Sequence, residues 1–73
     1  MLGNYIIHDK STGNVWTGKE WNRHYDQAQM YHQVKEAVEA AKGVQGQAGG
    51  PVEVVDAWDP VNGRVVWSSA RPE

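Results

Sequence analysis

Asp9–Thr17 reads DKSTGNVWT and Asp59–Ser68 reads DPVNGRVVWS. Each stretch has an Asp, three intervening residues and a Gly, then an apolar run that ends in Trp followed by Thr or Ser. This is the chemistry of a tight turn between two strands. Asp9 can close its own turn through its side chain, and Gly13 can take the positive φ that a short hairpin loop demands. In the second stretch Pro60 sets the turn after Asp59 and Gly63 supplies the left-handed residue. The flanking segments fit. NYIIHD at Asn4–Asp9 alternates, with Tyr5 and Ile7 on one face and Ile6 and His8 on the other. PVEVVDAW at Pro51–Trp58 and RVVWSS at Arg64–Ser69 are rich in β-formers. Two β-hairpins are therefore expected, over residues 4–17 and 51–68.

Between the hairpins lies a helical pattern. QVKEAVEAAKGV at Gln33–Val44 combines strong helix formers with an apolar stripe of Val34, Ala37, Val38 and Ala41. Lys35, Glu36, Glu39 and Lys42 occupy the other side, and Gly43 is placed as a C-terminal stop. Two starts are compatible with the residues. Asp26 can cap a single helix over about 26–42, with Met30 on its stripe, and this is the favoured expectation. Alternatively DQAQMY at Asp26–Tyr31 is a separate short turn, with a break near His32–Gln33. The Gly-rich residues 43–50 then form a connector and residues 69–73 a frayed tail. The expected fold class is α+β in the order β-β-α-β-β, a mainly antiparallel four-stranded sheet with one helix packed on one face. Nothing in the chain is evident to cover the opposite face.

Seventy-three residues make one small domain, 1–73, which buries little surface unless something helps. With no Cys, disulfides and thiolate metal sites are excluded as that help. The core is also thin, because the chain has no Phe and its one Leu is Leu2. Its four Trp and three Tyr must either fill that core or mark a surface that another molecule covers. Strict alternation puts Trp67 with Val65 and against Val66, and Trp16 against Val15. Four Trp are hard to bury behind one helix, so Trp58 or Trp21 is expected to stand substantially exposed.

A formal net charge of −2, with seven Lys and Arg scattered singly, leaves no basic track for phosphates. Nucleic acid is accordingly a disfavoured partner. No signal-peptide pattern or run long enough to span a bilayer is present, so no membrane association and a cytoplasmic location are expected. His8, His24 and His32 show no metal-ligand spacing, and no nucleophile, phosphate-loop or dinucleotide motif occurs. No catalytic residue, metal or cofactor is therefore expected. The functional expectation is a non-enzymatic protein-interaction module, with self-association into a homodimer as one form of it. Its anchors would be Trp16, Trp21, Tyr25, Trp58 and Trp67, with Arg64, Asp56 and Lys19 as the charged rim. The alternative is a small-ligand or single-stranded nucleic-acid binder that stacks its ligand on exposed aromatics, and the third reading, behind both, is a small enzyme that uses His24 or His32.

VEVVDAWDPVNGRVVW at Val52–Trp67 is similar to the strand–Asp-x-x-x-Gly–strand hairpins of PepSY-type and YD-repeat modules. Turn chemistry alone explains that likeness, so no function is carried over from it. Through VWTGKEW, AQMY, EAVEAA and VEVV the chain also resembles the short ββαβ-type proteins of phages, prophages and bacterial accessory regions. That resemblance implies a phage-like or mobile-element origin but brings no activity with it.

Overall fold

The fold is that of a computed structural model, which describes residues 4–48, 50–56 and 64–69. Among the described residues, five strands and one α-helix follow in chain order: β1 (Tyr5–Asp9), β2 (Val15–Trp16), β3 (Trp21–Asn22), α1 (Val34–Val44), β4 (Val52–Asp56) and β5 (Arg64–Ser68). The strands form one antiparallel sheet in the order β3-β2-β1-β4-β5. The α+β class stands, but the sheet has five strands where four were expected. The additional one comes from Thr17–Glu20. There Gly18 takes a φ of 99° and the Thr17 N–H donates to Glu20 O at 2.9 Å, so VWTGKEW folds back on itself with Trp16 opposite Trp21. A Gly at the head of a two-residue loop is one of the ordinary ways to turn a hairpin.

The β1–β2 turn uses the residues expected of it. Gly13 has a φ of 82°, its N–H donates to Asp9 O (2.8 Å), and the Asp9 N–H donates to Asn14 O (2.7 Å). Asp9 Oδ1 accepts from the Ser11 N–H (3.0 Å) and hydroxyl (2.8 Å), a local closure open to Asp or Asn. The Lys10 N–H donates to Pro51 O (3.0 Å), which lashes this loop to the start of β4. There a Cβ on Gly50 would lie 2.8 Å from both Cβ and Oγ of Ser11. Gly50→Ala is therefore expected to cost about 1–3 kcal/mol. Denaturant midpoints should show that penalty largely vanish in a Ser11→Gly background, where both opposing atoms are gone.

β1 and β4, one strand from each expected hairpin, pair along their whole length from Tyr5↔Asp56 to Asp9↔Val52. Side chains alternate from these two central strands. On the helix side Ile7, Val52, Val54 and Trp16 meet Ala37 and Ala41 of α1, and Val38 and Val44 pack partly against them. The two small alanines, both fully buried, bring the helix axis close to the sheet. Val34, expected on the buried stripe, is instead 41% exposed.

The helix is not one element over 26–42. Tyr25–Gln27 forms a single 3₁₀ turn, Ala28 is extended (φ −64°, ψ 138°), and α1 begins only after the extended Gln33. The reason lies in the sheet. The Gln29 N–H donates to Trp16 O (2.8 Å), while Tyr5 and Tyr31 exchange two backbone bonds of 2.8 Å. Residues 29–31 thus continue alongside β1 where the short β2 ends, and their amides are committed to strand bonds before a helix can claim them. The break near His32–Gln33 is the alternative that holds. At the other end α1 runs through Gly43, because Val44 packs against the core and draws the helix onward. Gln45–Gln47 follows as a 3₁₀ turn in the expected connector.

The same segment corrects the picture of an uncovered sheet face. Opposite the helix, Ile6, Val15 and Val55 are fully buried, and Ala28, Met30 and Val65 pack on them. Extended geometry turns Met30 to this face and Tyr31 to the helix face, where Tyr31 joins the core rim. Burial pushes the Tyr31 phenol above the usual tyrosine range, since the anion is the form that loses solvation. The native state therefore holds the phenol proton more tightly than the unfolded chain. That stability is fully present below the unfolded tyrosine value, about pH 10, and is lost as pH rises through the higher folded value. Alkaline denaturation should show the decline for the native chain and a smaller one for Tyr31→Phe.

Candidate functional site

Among the described residues, the sequence-derived candidates do not converge on one patch. Trp16 and Trp21 are cross-strand partners on β2 and β3, with ring centroids 5.5 Å apart in an edge-on arrangement at 61°. Trp16 is 9% exposed and belongs to the helix-side core; Trp21 is half-buried against it. Among the described residues its buried indole Nε1 has no hydrogen-bond acceptor, which costs about 1–3 kcal/mol that the packing around it must offset. Trp67 also packs, half-buried, on the helix-side core, but at the far edge of the sheet on β5.

A register shift sits between Val54 and Val55, with Val54 opposite Trp67 and Val55 opposite Val65. The extra residue is Val66. Because of this bulge Trp67 and Val65 lie on opposite faces, against the strict alternation expected. Tyr25 is exposed on its 3₁₀ turn, and Arg64 is exposed at the start of β5, across from the half-buried Asp56. Lys19 is exposed on the β2–β3 turn. Trp58 lies outside the described residues, as do Asp59, Pro60 and Gly63 of the second turn.

One polar arrangement escaped the sequence reading. His8 Nδ1 and Glu53 Oε1 are 2.9 Å apart on the face opposite the helix, with side chains 13% and 11% exposed. They are cross-strand partners on the two central strands, 45 residues apart in the chain, so only the β1–β4 register reveals them. His24 and His32 are exposed elsewhere. Among the described residues no cluster of three potential metal ligands and no concave pocket is present. Likewise, among them no helix is long and apolar enough to cross a membrane.

What remains on the surface is the sheet's long edge. β5 has five residues and, among the described residues, only β4 as a sheet neighbour, whereas the opposite edge, β3, has two residues. Val65, Val66 and Trp67 are each half-buried, and the strand contains neither Pro nor Lys. Compared with known proteins, the chain matches no family model, no curated protein and no solved structure.

Proposed function

We propose that this chain is a protein-interaction module whose contact surface is the outer edge of β5 over Arg64–Trp67 and whose partner is a second copy of the chain. The observation that carries the reading is the contrast between the two sheet edges. Among the described residues, a five-residue strand with Val65, Val66 and Trp67 at its centre ends the sheet on one side, and a two-residue strand ends it on the other. Long apolar edges are the ones natural sheets protect or use. Because the edges differ, a continuous sheet between copies is built from β5 against β5, an isologous contact that closes as a dimer. The small core supports the reading too, since a subunit contact adds burial that so short a chain lacks. The bulge at Val66 is a feature that weakens edge pairing, so the expected affinity is modest, on the order of tens of micromolar.

The proposal is of binding without catalysis. An origin on a phage or mobile element belongs to the same reading and rests on the sequence resemblance alone.

Light scattering behind size exclusion, run as a concentration series, tests the proposal. The native chain should move from monomer toward dimer between about 1 and 500 micromolar. Val66→Lys should stay monomeric throughout, because a charge on the edge blocks strand addition. Circular dichroism of the variant, unchanged, would show that the sheet itself survives. A native chain that stays monomeric across the range contradicts self-association.

A further inference from the structure

We draw no further inference here: the strongest candidate, the largely buried His8–Glu53 pair on the sheet face opposite α1, has no third ligating side chain and no pocket beside it among the described residues, so nothing in the structure shows what it would bind.

Discussion

Trp16→Ala is expected to destabilise the fold by about 3–5 kcal/mol, the usual cost of truncating a large buried aromatic. The indole lies among Ile7, Ala37, Ala41, Val52 and Val54 in the helix-side core and meets Trp21 edge-on. Its loss opens a cavity between β2 and α1 and also strips Trp21 of its ring partner, which adds roughly 0.5–1.5 kcal/mol to the area term. A domain of this length holds about 4–11 kcal/mol in total, so the variant should lose a large share of its stability. Tyr25→Ala is the contrast. Tyr25 is 36% exposed and lies outside both core clusters, so its removal should move the urea midpoint by no more than about 0.5 kcal/mol equivalent. If Trp16→Ala were as mild as Tyr25→Ala, the aromatic would belong to a surface and not to the core.

Ile6→Ala is the second large effect, at about 2–5 kcal/mol. Ile6 points away from the helix, and its full burial depends on what covers that face. An isoleucine on an open sheet face would cost far less to truncate, since its side chain would already be in contact with water. The covering residues in the structure include Ala28 and Met30. A double-mutant cycle of Ile6→Ala with Met30→Ala should therefore show coupling of about 0.5–3 kcal/mol, because the two truncations empty one shared space. Strict additivity would mean that Met30 does not roof Ile6, and the account of the 25–31 segment would fall with it.

Those two experiments bear on what was readable in the chain and what was not. The first hairpin turn was legible because its chemistry is local: Asp9, Ser11 and Gly13 make their decisive bonds within five residues of one another. The apolar stripe of the helix was legible in part, since Ala37 and Ala41 repeat with helical spacing. The start of α1 was not. Asp26 and the residues after it have nothing against helix formation in themselves. They are held out of it by bonds to Trp16 and Tyr5, more than ten positions earlier in the chain. β3 is only Trp21–Asn22, too short for any periodicity to register, and its signal was the Gly18 turn alone.

The candidate site was legible in composition and not in placement. The sequence places Trp16 and Trp67 in strands, but which face each occupies depends on register. A single bulged residue, Val66, reversed the relation between Trp67 and Val65. The His8–Glu53 contact likewise exists only because Ile7 pairs with Val54. A slip of one residue would turn every side chain of β4 to the wrong face.

The most direct test of the interaction reading is a set of amide chemical shifts recorded as the native chain is concentrated. If β5 is the self-pairing edge, shift changes should grow with concentration along Arg64–Trp67 and, more weakly, along its neighbour Val52–Asp56. Trp21–Asn22, at the other edge, should stay still. Spectra that do not change with concentration, or changes centred on Trp21–Asn22, would contradict the account.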